Sequence, residues 1–480
     1  MIRKEFTAMS NKYMPELENM CPAQAKRILD IKAQKMKDAV IFTPNYQPKS
    51  ERVIYVSNSG CDCNDGLSPE TPIATLAKVD EITRPGDTIL FKRGDHFRGN
   101  IRVDKDGVTY ASYGEGIKPI INSSKRNFAD PSIWQKTDKE NVYVCTEEVN
   151  NAGLMHFDPE YTYGIYNELY GHMKLRREDS FGYQNLEGDL DFFCDRKTNK
   201  LYLYSAEGNP GERFLDIEVG EAGNTFGGSA HNVTFDGLWI MHTGCHGIGS
   251  GTTVNRVVRN CVFSWLGGSM LGGEKRADGS YNGTRFGNAV EIYGGCLGYT
   301  VENNWMYQIY DTAVTHQFGH YSEGDCIQHD VIYRGNLMEY CFWSIEFYDG
   351  ERPGTNREIK DIYMTDNFAR YGGYGWGCKG REGGAPLFCG SHVCDNLQNF
   401  IAERNIFEQS LGLLVRLEDD PGARKIVVRN NVYVNPKGAN LGHLYGKNYK
   451  FDDTAAETLK TLINEEEPTV VFMPAPPVRF

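Results

Sequence analysis

Apolar and polar residues alternate in short segments along most of the chain, a pattern that predicts half-buried β-strands between residues 53 and 435. Residues 23–39 (AQAKRILDIKAQKMKDA) instead carry apolar side chains at helical spacing, directly after Pro22. Because proline is favoured in the first turn of a helix, we expect a helix over these residues. A helical segment therefore precedes a largely β protein.

A short phrase recurs in the second half of the chain, in the forms TFDGLW, VRNCVF, VENNWM, YRGNLM, MTDNFA, AERNIF and VRNNVY. Its repeats lie about 23 to 43 residues apart, an interval typical of stacked supersecondary units in a solenoid. Asparagine tolerates left-handed backbone angles, and its amide can hydrogen-bond to the asparagine of the next coil. The aligned positions are Leu238, Cys261, Asn304, Asn336, Asn367, Asn405 and Asn431.

A second strand follows most of these phrases at a nearly constant distance, about 10 or 11 residues after the asparagine position. Alternation predicts that one set of its side chains points inwards: Val290, Val314, Ile345 and Val415. The next set points outwards and forms a row across the coils: Glu291, Thr315, Glu346 and Arg416. Two residues further on we expect a parallel outward row: Tyr293, Gln317, Tyr348 and Glu418.

These patterns divide the chain into five regions. We expect an N-terminal helical cap in residues 1–50, first coils in 51–122, an inserted β unit in 123–217, the main solenoid in 218–450, and a C-terminal helix and tail in 451–480. The N-terminal helix is expected to cover one end of the solenoid, because an exposed terminal coil leaves strand edges unpaired.

With these repeats the chain resembles the right-handed parallel β-helix proteins of the pectate-lyase-like superfamily. The segments YVSNSGCDCNDGLSPETPIATLAKV and GDTILFKRGDHFRGNI also resemble the first coil of bacterial β-helix carbohydrate enzymes. The resemblance implies an all-β fold, a single-stranded parallel β-helix, and a carbohydrate substrate. Several β-helix glycoside hydrolase families, including some xylosidases, fucosidases and lacto-N-biosidases, use acidic residues on one parallel sheet. No catalytic motif of one such family carries over residue by residue.

The composition limits the classes of molecule that the protein is expected to bind. The formal net charge of -13 argues against nucleic acid, because no basic stripe is present to contact phosphates. No apolar run of about 18 residues and no secretory leader is visible, so we expect no membrane segment and a cytoplasmic location. The 13 cysteines follow no zinc-site spacing, and the Cys61/Cys63 pair is only a weak metal signal. We expect buried thiols at Cys261, Cys341 and Cys389, no metal and no cofactor.

The outward rows supply the candidate chemistry. Glu346 is paired with Glu291, two coils away, or with Asp311, just before the intervening strand. A separation of roughly 6.5–9.5 Å would suit an inverting glycosidase, and about 5.5 Å a retaining one. The other candidate substrate-binding residues are Thr315, His316, Gln317, Tyr293, Trp343, Tyr348, Arg416 and Glu418.

Two of these residues have open alternatives. His316 is equally compatible with a core position, and Arg416 either neutralises Glu418 or binds an acidic sugar. Aromatic residues near the loops are expected to stack against sugar rings: Trp265, Trp343, Tyr371, Tyr374 and Trp376. The glycine-rich residues 371–386 are read either as a loop over the cleft or as an ordinary coil insertion.

Three functions remain. The first is a glycoside hydrolase acting on an oligosaccharide or polysaccharide through two carboxyl groups. The second is a uronate lyase or epimerase, which needs a base beside a group that neutralises the sugar carboxylate. The third is a non-catalytic carbohydrate-binding β-helix, which would carry an aromatic platform without a close carboxyl pair.

Overall fold

The computed structural model describes residues 12–164, 170–173, 182–272, 284–319, 322–378 and 386–476. Three long sheets, A, B and C, form the walls of a solenoid, and each coil contributes one strand to each sheet in that order. Neighbouring strands are parallel throughout sheets A and B, and in sheet C up to its last strand, which pairs antiparallel. The predicted parallel β-helix is confirmed.

Within the described residues, each wall contains ten strands. In spatial order, sheet A contains Val53–Val56, Thr88–Lys92, Thr109–Tyr113, Thr234–Asp236, Thr253–Arg259, Cys296–Glu302, Cys326–Arg334, Arg357–Thr365, Leu397–Glu403 and Val427–Arg429. Sheet B contains His96–Arg98, Ile120–Asn122, Trp239–Met241, Val262–Leu266, Trp305–Ile309, Leu337–Glu339, Phe368–Gly372, Ile406–Ser410, Val432–Asn435 and Thr469–Phe472. Sheet C contains, from its last strand in the solenoid back to its first, Lys447–Lys450, Asn440–Leu444, Val415–Leu417, Phe388–Val393, Trp343–Asp349, Thr312–Phe318, Val290–Tyr293, Ile248–Ser250, Phe226–Gly227 and Ile101–Arg102.

In its described part, the inserted unit forms a separate sheet of seven strands. In spatial order these are Ile217–Gly220, Leu154–Phe157, Tyr170–Met173, Asp191–Asp195, Lys200–Tyr204, Val142–Cys145 and Trp134–Lys136. Its apolar side chains form a core of their own, which includes Phe192 and Leu203. The strands Asp191–Asp195 and Lys200–Tyr204 pair antiparallel, as the hairpin pattern in the sequence indicates.

Apolar side chains from all three walls fill the interior of the solenoid. The inward residues Val290, Val314, Ile345 and Val415 belong to this core and are almost fully buried, as the alternation predicts. Burial of such apolar area is the main stabilising contribution in a fold of stacked coils.

Short helices cover the core in the first and last coils. Helix α2 (Leu76–Ile82) contributes Leu76 and Val79 to the core, and helix α4 (Ala455–Ile463) contributes Leu459 and Ile463. The remaining short helices are α3 (Pro210–Arg213) and the 3₁₀ turns Pro15–Asn19, Pro131–Ile133, Tyr183–Asn185, Trp376–Cys378 and Ala423–Lys425.

The N-terminal helix α1 (Pro22–Ile41) lies where the sequence did not predict it. It contacts the middle strands of sheet B and packs on the outer face of that sheet, burying Leu29 and Ala33 with Trp305 and Leu337. The expectation that it caps an end of the solenoid is wrong. Its apolar stripe packs on a broad apolar sheet face, and the end position in the first coil is taken by α2.

The recurring asparagines form a buried ladder from coil to coil. In each step the Nδ2 of one asparagine donates to the Oδ1 of the next at 3.0 Å, through Asn304, Asn336, Asn367, Asn405 and Asn431. Glu465 ends the ladder and accepts from Asn431 Nδ2 at 2.9 Å. The left-handed residue is the one before each asparagine, for example Asp366 with φ 59°. Asparagine at these positions thus serves through its amide hydrogen bonds.

The predicted buried thiols Cys261, Cys341 and Cys389 are buried. Cys61 and Cys63 are joined in a disulfide and do not form the metal site that their spacing weakly indicated. Among the described residues, no cluster of three His, Cys, Asp or Glu side chains is arranged to hold a metal ion. None of the described helices is long and apolar enough to cross a membrane.

Candidate functional site

The outward row on sheet C is continuous across the coils. The strand register aligns Gly249, Glu291, Thr315, Glu346, Cys389, Arg416 and His443. The predicted row of Glu291, Thr315, Glu346 and Arg416 is therefore present, with Cys389 between the last two. At about 4.8 Å per strand, the backbones of Glu291 and Glu346 lie about 10 Å apart.

Glu346 occupies the centre of this row and is only 7% exposed. Its Oε2 accepts hydrogen bonds from Gln317 Nε2 at 2.5 Å and from Thr315 Oγ1 at 3.2 Å. In the described part of the chain, no lysine or arginine forms an ion pair with it. The carboxyl group is thus held by neutral donors from the neighbouring strand.

Burial raises the pKa of Glu346 to about 8, and the nearby charges of Asp311 and, more weakly, Glu291 act in the same direction. The hydrogen bonds from Gln317 and Thr315 oppose this shift without overcoming it. Glu346 is therefore mostly protonated at neutral pH. Because the donors converge on Oε2, the proton is left to Oε1, where it can be donated.

Glu291 is held at the other side of Thr315 by two side chains. Its Oε2 accepts from Asn288 Nδ2 at 2.7 Å and lies 2.6 Å from His246 Nδ1. It is also 7% exposed, so its carboxyl group has little conformational freedom. Asn288 and His246 were not among the predicted site residues, although each lies three residues before a member of the row, which places both at strand starts beside it.

Asp311 lies between the coils of Glu291 and Glu346, as its position in the sequence indicates. Its backbone N–H donates to Gly287 O at 3.2 Å, and its carbonyl accepts from Trp343 N–H at 2.9 Å. It is half-buried, and its charge is the strongest electrostatic influence on the pKa of Glu346 after burial. Two further carboxyl groups thus act on Glu346 on this face.

The second outward row differs from the prediction at its last member. The register aligns Tyr293, Gln317, Tyr348 and Ser391, whereas Glu418 lies just beyond the strand Val415–Leu417. The sequence pattern did not identify Ser391 because a long insertion precedes its strand, Phe388–Val393. The strand therefore does not follow its asparagine at the usual distance. Tyr293 is exposed and Tyr348 half-buried, so both rings remain accessible beside the carboxyl groups.

His316 points into the solenoid and cannot reach a ligand on the outer face. It is 1% exposed, stacks on Phe347 at 5.6 Å between ring centroids and hydrogen-bonds through Nδ1 to Tyr333. Burial lowers the pKa of His316 to about 3, so the ring is neutral. This is the core alternative, and the assignment of His316 as a substrate-binding residue is wrong.

Four of the aromatic residues expected to stack on sugars are buried elsewhere. Tyr371 and Tyr374 cluster with Tyr340, while Trp265 and Trp376 belong to the core on the outer face of sheet B. Residues 379–385 of the glycine-rich segment lie outside the described residues. Trp343 is the exception, because it starts a strand of sheet C, opposite Thr312.

Arg416 and Glu418 form an ion pair beside an open cavity. The Nε and Nη2 of Arg416 donate to Glu418 Oε1 at 2.7 and 2.6 Å, and the guanidinium lies 5.9 Å from the Trp343 ring centroid. The cavity has a volume of about 420 Å³ and includes Arg416 and His443 in its lining. Of the two predicted alternatives, the contact with Glu418 is present.

No family model and no curated protein matches the chain. Among solved structures, XylC in complex with xylose is similar at 12% identity and a TM-score of 0.44, over 83% of this chain and 73% of that one. A GH136 lacto-N-biosidase from Eubacterium ramulus has 11% identity and a TM-score of 0.39, over 94% and 71%. A rhamnogalacturonan lyase has 10% identity and a TM-score of 0.36, over 82% and 85%.

Proposed function

We propose that the protein is a glycoside hydrolase with Glu346 as its general acid. The observation that carries this proposal is a carboxyl group on an outer sheet face whose pKa is raised to about 8 beside two further carboxyl groups. Cleavage of a glycosidic bond needs a protonated carboxyl at the leaving oxygen and a second carboxylate opposite it. Glu346 meets the first requirement at neutral pH.

The second carboxylate is Glu291 or Asp311. Glu291 is fixed by Asn288 and His246, and with a backbone spacing of about 10 Å from Glu346 it leaves room for a water molecule, as inversion requires. Asp311, just before the intervening strand Thr312–Phe318, acts more strongly on Glu346 and would instead serve as a nucleophile for retention. The stereochemistry of the released sugar distinguishes them, because only the retaining route gives two inversions.

The direct test uses a panel of nitrophenyl glycosides and the corresponding unactivated oligosaccharides, with released phenol and reducing sugar as readouts. For a cleaved substrate, we expect kcat to fall as the pH rises through about 8, because Glu346 then loses its proton. In Glu346→Gln, the loss should be larger for oligosaccharides than for nitrophenyl glycosides, whose leaving groups need little protonation.

The matched control is Glu358→Gln. Glu358 is a half-exposed carboxylate on sheet A that pairs with His329 at 3.2 Å, far from the row. Its substitution should leave turnover unchanged. Equal losses with both classes of leaving group in Glu346→Gln would contradict the role of Glu346 as the acid, as would a normal turnover.

A further inference from the structure

The cavity beside Arg416 has the position of a substrate subsite. Arg416 is two strands from Glu346 in the same row, with Cys389 between them, so the backbones are about 10 Å apart. His443 follows Arg416 in the row and lies in the same cavity. A saccharide that extends from Glu346 along sheet C therefore reaches this cavity with its next units.

Between Glu346 and the cavity, the row carries a small, fully buried side chain. Cys389 is the residue between Glu346 and Arg416, and it is shorter than either. At the other side the cavity is lined by residues 411–413, which include Gly412. Trp343 lies within 5.9 Å of the Arg416 guanidinium and supplies an aromatic surface at the same place.

The cavity offers both donors and acceptors. The His443 Nδ1 is 2.9 Å from Asn448 Oδ1, while its Nε2 is 3.7 Å from Glu418 Oε2, too far for a hydrogen bond. Asn440 Oδ1 accepts from Lys450 Nζ at 2.9 Å. Hydroxyl groups, which both donate and accept, match such a mixed lining.

The charges around Arg416 disfavour a carboxylate ligand. Glu418 already occupies two donors of the Arg416 guanidinium. Burial and the charges of Glu346, Glu418 and Asp420 raise the pKa of the nearby Cys389 thiol, whereas Arg416 lowers it. A uronate beside Arg416 would have to compete with Glu418 for the guanidinium or place a second carboxylate next to Glu418, at a cost in free energy. The exposed Lys450 adds one positive charge at the far rim.

We propose that this cavity is a subsite for an uncharged sugar unit and that Glu418 is the residue that excludes uronates from it. This proposal rests on the proposed function for the identity of the ligand as a saccharide. It also separates the glycosidase from the lyase or epimerase alternative, since the latter enzymes need a cation free to neutralise a sugar carboxylate.

The test measures binding in the full-length Glu346→Gln protein, so that its outcome does not depend on hydrolysis. Calorimetric titrations would compare neutral tetrasaccharides of glucose, xylose, galactose and N-acetylglucosamine with tetragalacturonate. We expect at least one neutral tetrasaccharide to bind at least tenfold more tightly than tetragalacturonate. Addition of Glu418→Gln should raise the affinity for tetragalacturonate about tenfold, because Arg416 is then released.

Two further variants locate the effect. Asn448→Ala should weaken binding of the neutral sugar about fivefold to tenfold through the loss of hydrogen bonds in the cavity. Asp419→Asn is the matched control, since Asp419 is exposed and pairs with Arg424 at 2.6 Å. Tighter binding of tetragalacturonate than of every neutral sugar, or no binding of any neutral sugar, would overturn the subsite. Hydrolysis by the wild type is measured separately and decides the proposed function alone.

Discussion

Sheets B and C both carry acidic side chains on their outer faces, but in different surroundings. On sheet B, Glu339, Arg370 and Glu408 are aligned in one row, and Arg370 Nε lies 2.9 Å from Glu408 Oε2. Helix α1 covers this row and adds Lys37, which pairs with Glu339 at 2.8 Å. The carboxylates of sheet B are buried together with cations.

On sheet C, Glu346 is buried to a similar depth, but among the described residues no such cation is paired with it. Glu346 is contacted by a neutral amide and a hydroxyl, and the nearest charges acting on it are negative. Burial raises the pKa of both Glu408 and Glu346, but Arg370 opposes the shift at Glu408, whereas hydrogen bonds from neutral groups are the main contributions that oppose it at Glu346. The two glutamates are thus similarly buried but differ in whether a paired cation opposes the effect of burial on the pKa.

The largest effect is expected when the carboxyl group of Glu346 or of Glu408 is replaced by an amide. Glu346→Gln should lower turnover by about 10²–10⁴-fold and leave stability nearly unchanged, since the group is already mostly neutral. Glu408→Gln should do the reverse, because it removes a partner of the buried Arg370 and leaves the row on sheet C intact. Enzyme assays and chemical denaturation of both variants check this. If the two variants lose turnover equally, the distinction between the sheets fails.

The next effect concerns the cation of sheet B. Arg370→Met should cost about 3–5 kcal/mol of the free energy of unfolding, because it leaves Glu408 buried without its partner. Its control is Arg334→Met, whose pairing with Glu302 is largely exposed and should contribute no more than about 1 kcal/mol. Urea denaturation measures both values. Similar losses in the two variants would show that burial does not separate these ion pairs.

A smaller effect is expected in the asparagine ladder, which lies between the strands of sheets A and B. Asn367→Ala removes donors to Asn405 Oδ1 and Tyr333 O, both within 3.0 Å, and should destabilise the fold by about 1–3 kcal/mol. Gln398→Ala, at an exposed position of sheet A, should change stability by less than about 0.5 kcal/mol. Thermal unfolding compares them. An unchanged melting temperature in Asn367→Ala would mean that the ladder adds nothing to stability.

The last effect is a pH dependence of stability. The pKa of Glu346 in the folded protein, about 8, lies above the ordinary glutamate value of 4.5, so the folded state binds the proton more tightly. The stability this group contributes is complete below about pH 4.5 and is lost as the pH rises through about 8. Relative to Glu346→Gln, the wild-type melting temperature should therefore fall by a few degrees between these values. A constant difference would exclude a raised pKa.

Periodicity made most of the solenoid predictable. The asparagine phrases and the strands that follow them place Glu291, Thr315, Glu346 and Arg416 in one row, because coil register is carried by the ladder itself. The sequence pattern did not identify Cys389 as a member of the row, because a long insertion separates its strand from Asn367 and breaks the constant offset. An offset rule fails wherever a coil carries a loop.

The contacts around the row were less predictable. Asn288 and His246 hold Glu291 from strand starts, where alternation no longer tells the direction of a side chain. Helix α1 was expected at an end of the solenoid. An amphipathic pattern shows that one side of a helix is buried, but it does not show which part of the protein covers that side. The core position of His316 follows from the parity of its strand, which its polar chemistry obscured.

Glu346 is expected to carry a proton near neutral pH. Infrared difference spectra between the wild type and Glu346→Gln, recorded from pH 4 to pH 10, follow this carboxyl group without any substrate and cancel the other acids. We expect a protonated-carboxyl band in the wild type that disappears with a midpoint near pH 8. A midpoint close to 4.5, the ordinary value for glutamate, would contradict it.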